Sequence, residues 1–456
     1  MPMPIPRPPL APRPDPAQAG GGARRPRVAI VGGGISGLGA AHALADHADV
    51  TLFEAAETFG GHAHTVDVTL DGVTHGVDTG FLVFNHRTYP RLVQLFDALQ
   101  VPTAPSDMSF SVQNPARGLE WCGSGLGSVF AQRRNLLRPS FWRMLAQVLR
   151  FNKLARTLAR TGEAEALSEP VGSFLDRHGF GSAFREDYFL PMVGSIWSCP
   201  TEQMLDFPVG TMIRFCDNHG LIQIVDRPQW HTVRGGSREY VRRLLQSVPD
   251  ARAGTPVRAV RRLPPGVGSA GVAVLTDAGT ERFDDVVLAC HTDQALALLA
   301  DASALERRVL GAIRYQRNEA VLHTDASVLP SSRRAWAAWN YERTPAGQEQ
   351  AAVCLHYLIN RLQPLPWSRP VIVSLNPARP IDPSQVISRH AWAHPVFDQA
   401  AVKAQRELAS IQGSAHVWFA GAWAGYGFHE DGLRAGQQVA RAMRHVHDAR
   451  PQGLAA

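Results

Sequence analysis

Lysine is almost missing from this chain. Of 46 lysine and arginine residues only Lys153 and Lys403 are lysine, so nearly all the fixed positive charge is arginine. Arginine's planar fork suits phosphate and carboxylate oxygens two at a time, while lysine-centred chemistry has two positions at most. Cysteine is also scarce: Cys122, Cys199, Cys216, Cys290 and Cys354 are five in number and form no close pair. That pattern argues against a disulfide scaffold, a zinc site or a redox dithiol, and it fits a reducing cytoplasm. No run of 18 or more apolar residues occurs, so no spanning helix is expected, and the N-terminal residues lack the apolar stretch of a secretory signal. The expected location is the cytoplasm, either free or peripherally on the inner face of the cell membrane. The net charge of +6 is too mild to indicate a partner, and none of nucleic-acid type is expected.

What remains is ordinary for a globular protein: 456 residues, 45% hydrophobic and 19% charged, long enough for two to three domain-scale units. Residues 1–26 depart from this. They consist largely of Pro, Ala, Gly and Arg, have too few large apolar side chains to pack, and are expected to be disordered.

The first chemical signal follows at once. Residues 27–31 (RVAIV) are a β-branched run of the kind found in a buried parallel strand. They lead into Gly32-Gly33-Gly34-Ile35-Ser36-Gly37 and an Ala/Leu-rich helix candidate, residues 38–44. In this G-x-G-x-x-G turn Gly32 makes the tight turn, Gly34 admits a pyrophosphate to the backbone, and Gly37 lets helix and strand approach. Ile35 and Ser36 begin a helix whose free N–H groups and dipole favour phosphate. A second strand, 50–53, ends in Glu54, about 20 residues on, where a ribose-binding carboxylate belongs.

The motif alone does not separate FAD from NAD; the neighbouring residues do. Phe59-Gly60-Gly61-His62 and Val77-Asp78-Thr79-Gly80-Phe81 follow, and near the other end come Val417-Trp418-Phe419-Ala420-Gly421, Gly425-Tyr426-Gly427 and a helix from Glu430-Asp431-Gly432-Leu433. Together these resemble the flavin amine oxidase superfamily, which includes monoamine oxidases, polyamine oxidases and phytoene desaturases. The resemblance implies an α/β fold: a two-dinucleotide-binding, Rossmann-like FAD domain with an inserted α+β substrate domain. It implies FAD contacts from Gly61, Thr79, Gly80, Phe81, Gly421, Asp431 and Leu433. His62 stands where the family usually has arginine, and a neutral imidazole is the weaker phosphate partner. Gly235-Gly236, residues 255–260, 271–276 and 285–289 resemble the adenine-side hairpin and returning strand, with Val257 meeting adenine through its backbone. The FAD domain would comprise 27–84, 234–295 and 411–447, and the substrate domain 85–233 and 296–410. A second G-x-G-x-x-G and a C-x-x-x-x-C dithiol are both missing, so the substrate itself is expected to reduce the flavin.

From 131 to 160 the chain carries Arg133, Arg134, Arg138, Arg143, Arg150, Lys153, Arg156 and Arg160 with no acidic residue between them. Over 139–160, Arg143, Gln147, Arg150, Lys153, Thr157 and Arg160 fall on one stripe, with Phe141, Leu145, Val148, Leu149, Ala155 and Leu158 mainly on the other. Such a helix is either a membrane-surface element drawn to anionic lipid or a solvated face packed on its own core. The segments at 78–90, 189–198, 232–241 and 420–432 resemble a bacterial subgroup of flavoproteins associated with lipid modification, including the fatty acyl desaturase of furan fatty acid synthesis. That implies a desaturase or dehydrogenase acting on a fatty acyl chain of a membrane lipid, with a lipid-modifying methyltransferase as a partner. The alternatives are a flavin-containing amine oxidase and a non-catalytic flavin-binding partner of such a methyltransferase. Tyr426 is the candidate at the flavin ring. His219 is either a proton acceptor or a structural turn histidine. Trp336, Trp339 and Tyr341 either line an apolar channel or belong to the core. His62 and His64 lack companions for a metal set, and no metal is expected.

Overall fold

The structure, a computed structural model, describes residues 24–161, 169–223, 227–264, 271–344 and 353–449. Residues 1–23 of the proline-rich tail lie outside the described residues. The end of that tail corrects the expectation of disorder to residue 26. Arg24 pairs with Asp284 at 2.6 Å, Arg25 donates to the Ala45 carbonyl at 2.6 Å, and the Pro26 carbonyl accepts from Asp49 N at 2.9 Å.

A five-stranded parallel sheet collects strands from both ends of the chain, in the order Asp250–Arg252, Asp49–Phe53, Arg27–Val31, Asp285–Leu288, Val417–Phe419. Its central strands are buried on both faces, with Val28, Ala29, Ile30, Val286, Val287 and Leu288 fully inaccessible, which is why they read as unbroken β-branched runs. The helix Ile35–Leu44 rises from the glycine turn and packs on the closing helix His429–Ala449. A three-stranded antiparallel sheet, Val257–Arg262, Val272–Thr276 and Gly279–Phe283, and the hairpin Thr65–Leu70/Val73–Asp78 complete this half.

The other half is built on a seven-stranded sheet ordered Val386–Val396, Arg314–His323, Ile372–Leu375, Cys354–Leu358, Trp339–Glu342, Phe110–Asn114, Leu119–Cys122. The parallel pairing of Trp339–Glu342 with Phe110–Asn114 joins two stretches of chain that are far apart in sequence. Asp78 helps hold the halves together. Its buried carboxylate accepts from Thr65 Oγ1 (2.6 Å), Ser237 N (2.9 Å), Ser237 Oγ (2.8 Å) and Gln363 Nε2 (2.9 Å).

The helix Pro139–Thr161 forms as the arginine spacing predicts, but its two sides are less cleanly divided. Phe141, Met144, Phe151 and Ala155 are buried, whereas Leu149 and Trp142 stand exposed. On the polar stripe Gln147 accepts from Gly181 N at 3.1 Å and Arg150 donates to the His178 carbonyl at 2.8 Å, so that stripe is partly docked on the next turn of chain. No helix among the described residues is long and apolar enough to cross a membrane.

Candidate flavin site and substrate cavity

The glycine turn opens on a cavity of about 2390 Å³ that runs from the parallel sheet to the helix Pro139–Thr161. At the sheet end its wall is made by the turn itself. Gly32 holds φ +110°, and an added Cβ there would lie 2.6 Å from the Ala289 carbonyl oxygen, so no side chain fits. Gly34 has the opposite surroundings: an added Cβ would meet nothing nearer than the Gly60 carbonyl at 4.0 Å, and the backbone is open to the cavity. No side chain caps the helix that starts at Ile35, so its first N–H groups are available to an anion there. Glu54 at the end of its strand accepts from Gly33 N at 2.7 Å and Ala56 N at 2.8 Å, one on each carboxylate oxygen. Each oxygen retains a lone pair for a ribose hydroxyl.

Of the predicted cofactor residues, Gly32, Gly34, Ile35, Ser36 and Glu54 line this cavity, as do Gly61, His62, Gly80, Phe81, Val257 and Gly421. Tyr426 and His219 line it too. Gly37, Thr79, Asp431 and Leu433 are not on the wall. Gly37 sits beneath Gly32, and the Thr79 hydroxyl is engaged with His64 Nδ1 at 2.8 Å. Leu433 packs over Gly39 in the helix interface. Asp431 shapes the wall from behind: it accepts from Tyr426 N (3.0 Å) and Phe428 N (3.1 Å) and pairs with Arg434 at 2.7 Å, which ties down the loop carrying Tyr426.

His62 was the departure from the arginine pattern, and the fold explains how an imidazole is accommodated. His62 and His64 face His390, Trp392 and His394, which alternate along the strand Val386–Val396 so that spacing of two puts all three on one side. The His62 ring lies 4.8 Å from Trp392 and 5.2 Å from His394, and His64 lies 4.6 Å from His390. Burial, followed by the neighbouring His394, holds His62 well below the ordinary histidine range, and burial pushes His394 down to about 4. Both are therefore neutral near pH 7. His62 Nε2 is buried without a hydrogen-bond partner among the described residues, an unused polar atom on the wall where a cofactor would lie. The alternation in His390-Ala391-Trp392-Ala393-His394 was the sequence signal for this wall. His429, a further cavity residue, stacks on Phe81 at 3.8 Å and reaches the Tyr240 hydroxyl at 3.0 Å; nothing in its local pattern announces it.

His219 ends the helix Val209–Asn218, stacked on Phe215 at 3.9 Å, with Nδ1 at 3.0 Å from the Phe215 carbonyl. Burial pushes it down to about 4, so it is neutral and a weak base at pH 7. Trp339 lines the cavity, while Tyr341 is buried in the core and Trp336 donates Nε1 to the Pro330 carbonyl at 2.7 Å. Among the described residues one group of potential metal ligands lies close together, Glu342, Cys354 and His356 in the middle of the seven-stranded sheet. Those groups already bond to each other and outward: His356 Nε2 to Glu342 at 3.1 Å, His356 Nδ1 to Ser374 at 2.7 Å, and Glu342 to Arg379 at 3.0 Å.

The cradle, the orphaned imidazole nitrogen and the glutamate fit a flavin dinucleotide: the turn and helix start would hold its pyrophosphate, Glu54 a ribose, and Val257 the adenine side. This class of site is a dinucleotide-binding α/β fold with a second cavity limb. The Flavin containing amine oxidoreductase family profile matches residues 35–323, and the chain belongs to that family. It is an FAD-dependent oxidoreductase. Similar solved structures include a CLA-producing fatty acid isomerase from P. acnes, with TM-score 0.65 and 15% identity over 91% of this chain and 98% of that one. Cyclohexylamine oxidase from Brevibacterium oxydans gives TM-score 0.66 and 16% identity over 93% and 100%. A putative protoporphyrinogen oxidase from Exiguobacterium gives 0.63 and 18% over 93% and 100%. At these identities the likeness is one of fold. No curated protein matches the sequence.

Replacing Glu54 with alanine removes the acceptor for ribose and frees the amides of Gly33 and Ala56. Hydrogen bonds to a charged group contribute about 1.5–3 kcal/mol, so FAD is expected to bind on the order of 10–100-fold more weakly. Dialysis of the purified variant, followed by absorbance of retained flavin, measures this. Retention equal to the parent protein would show that Glu54 does not face the ribose.

Proposed function

We propose that this enzyme is a desaturase or dehydrogenase acting on a fatty acyl chain of a membrane lipid. The observation that carries the reading is the cavity. Its 2390 Å³ exceeds the roughly 300–1,000 Å³ of an ordinary small-molecule pocket, leaving a second limb beyond the dinucleotide. That limb is walled by Phe110, Trp121, Tyr188, Met192, Phe215 and Trp339. Its carboxylate, Asp107, is already engaged by Ser109 Oγ at 2.8 Å and Arg361 at 3.1 Å, so it offers little to a cationic substrate. A long apolar chain matches such walls better than a charged one. The fatty acid isomerase among the similar folds supports a fatty acyl substrate.

Bound FAD supplies a two-electron acceptor that takes hydride from carbon. The protein's residues orient the chain and exclude water, and the neutral His62, His219 and His394 add no charge to the wall. An allylic methylene is the better donor, because the positive charge that develops on it is delocalised. The product carries a further double bond and is two hydrogens lighter, one lost as the hydride and the other leaving the adjacent carbon as a proton to a neutral imidazole of the wall. This reading implies a lipid-modifying methyltransferase acting on the same acyl chain as a partner.

The second reading, a flavin-containing amine oxidase, draws on the family and on the cyclohexylamine oxidase fold. Against it, both lysines are exposed and neither lines the cavity, so a lysine holding water beside the flavin is missing. The test is to mix oxidised enzyme anaerobically with monounsaturated phospholipid, and separately with primary amines and polyamines. Bleaching of the flavin by lipid, with a product two mass units lighter, is expected. Bleaching by an amine alone would establish the second reading, and bleaching by neither would overturn both.

A further inference from the structure

Eight large apolar side chains are strongly exposed among the described residues, and five of them fall between residues 126 and 149. Leu126 is 81% exposed, Leu137 87%, Leu149 57%, Trp142 49% and Leu136 47%. The remaining three, Val73, Leu275 and Val446, are scattered through the FAD-binding half, so the clustering is particular to this segment. Large apolar side chains exposed together in one segment mark a contact surface.

Three of the five, Leu126, Trp142 and Leu149, also line the cavity. A side chain that is both half exposed and part of a cavity wall stands at its mouth. Trp142 binds the other two leucines to that mouth: its Nε1 donates to the Leu136 carbonyl at 2.9 Å, and its ring lies 5.2 Å from Phe130. The mouth therefore wears an apolar collar.

The same stretch is strongly basic. From 121 to 160 there is no aspartate or glutamate, against eight arginine and lysine residues. Among the described residues their hydrogen bonds go to backbone carbonyls rather than to carboxylates: Arg138 to Arg117 (3.4 Å), Arg150 to His178 (2.8 Å) and Arg156 to Asn152 (3.3 Å). No described carboxylate cancels that charge beside the collar. Exposed leucines offer nothing to a nucleic acid or a soluble polyanion, whereas leucine and tryptophan within a field of cations suit the headgroup–acyl boundary of an anionic bilayer.

We infer that the collar of Leu126, Leu136, Leu137, Trp142 and Leu149 is a membrane-docking face, set so that the cavity mouth opens directly on the lipid and an acyl chain enters from the bilayer. What enters the cavity rests on the acyl-chain reading above; the docking itself does not.

The experiment uses the full-length flavin-loaded protein and unilamellar vesicles of phosphatidylcholine with or without phosphatidylglycerol, in a flotation assay. Two variants keep clear of the cavity wall: Leu136→Ser/Leu137→Ser and Arg143→Glu/Lys153→Glu. Both change exposed residues, and retained flavin absorbance checks that each is folded. Capture by the anionic vesicles is expected to weaken roughly tenfold or more in each variant and to fall with added salt. Equal capture of parent and both variants overturns the inference. Loss in the charge variant alone also overturns it, since that describes a polyanion site rather than a bilayer face. A second arm compares flavin reduction by monounsaturated phosphatidylglycerol in vesicles and in detergent micelles. The variants should slow the vesicle reaction and leave the micelle reaction unchanged; slowing of both overturns delivery from the bilayer. Failure of the parent protein to react with either form overturns the acyl-chain reading alone, leaving the flotation result to decide docking.

Discussion

Replacing Gly37 with valine is expected to yield protein that emerges from purification without FAD. A Cβ at this position would lie 1.9 Å from the Gly32 carbonyl oxygen, 3.1 Å from Gly32 C and 3.3 Å from Ala289 Cβ. Two of these atoms are backbone of the turn itself, held in place by Gly32 N donating to the Phe53 carbonyl at 2.8 Å. They have no room to retreat, so the helix Ile35–Leu44 must lift from the sheet by more than an ångström. That movement withdraws the helix N-terminus and opens the cradle around Gly34. Gly39 is the control. Its added Cβ meets Leu433 Cδ1 at 2.6 Å, the far end of a flexible side chain that can turn aside. Gly39→Ala should therefore retain FAD while Gly37→Val loses it. The molar ratio of flavin to protein, taken from absorbance, measures both, with a value near one expected for the parent. A flavin-replete Gly37→Val would show that the pyrophosphate is held elsewhere.

Asp78→Ala is expected to be among the most destabilising single changes in the molecule. The carboxylate is fully buried and takes four donors, from Thr65, Ser237 twice and Gln363, while Asp78 N donates to Gln363 Oε1 at 3.0 Å. Ser237 begins the helix that leads back into the parallel sheet, and Gln363 belongs to the half built on the seven-stranded sheet. Removing the acceptor strands buried donors on both sides at about 1–3 kcal/mol each, of which relaxation and entering water recover part. A net loss of about 3–5 kcal/mol is expected, read as a lowered denaturant midpoint. A loss under about 1 kcal/mol would show that the two halves do not depend on this contact. Burial raises the Asp78 carboxyl to about 6, above the ~3.9 of an unfolded chain. The folded state then binds the proton more tightly, so this group favours folding most below pH 4, and that contribution fades as pH rises through 6. The stability gap between the parent and Asp78→Asn should accordingly shift against the parent over that window.

Much of the flavin half was legible in the amino-acid order, because its signals are local. A β-branched run, a glycine turn, a helix and an acidic strand end lie within residues 27–54, and each depends only on neighbours a few positions away. The closing strand and helix at 417–449 were readable for the same reason. The arginine spacing likewise foretold the helix Pro139–Thr161. What no local pattern contained was the pairing of distant surfaces. That the Asp78 of the D-x-G element faces away from the cavity and joins two halves follows from Gln363 arriving nearly three hundred residues later. That His62 lies on a ladder with Trp392 and His394, that His219 is buried against Phe215, and that Asp431 braces the loop carrying Tyr426 rather than lining the wall, are consequences of packing. The division has one physical cause. Backbone conformation and helix capping respond to adjacent residues, so sequence alone determined the strand–turn–helix units and their phosphate-binding geometry. Burial, pKa and the line between wall and core depend on which remote side chains fill the same space, and those the tertiary structure alone decided.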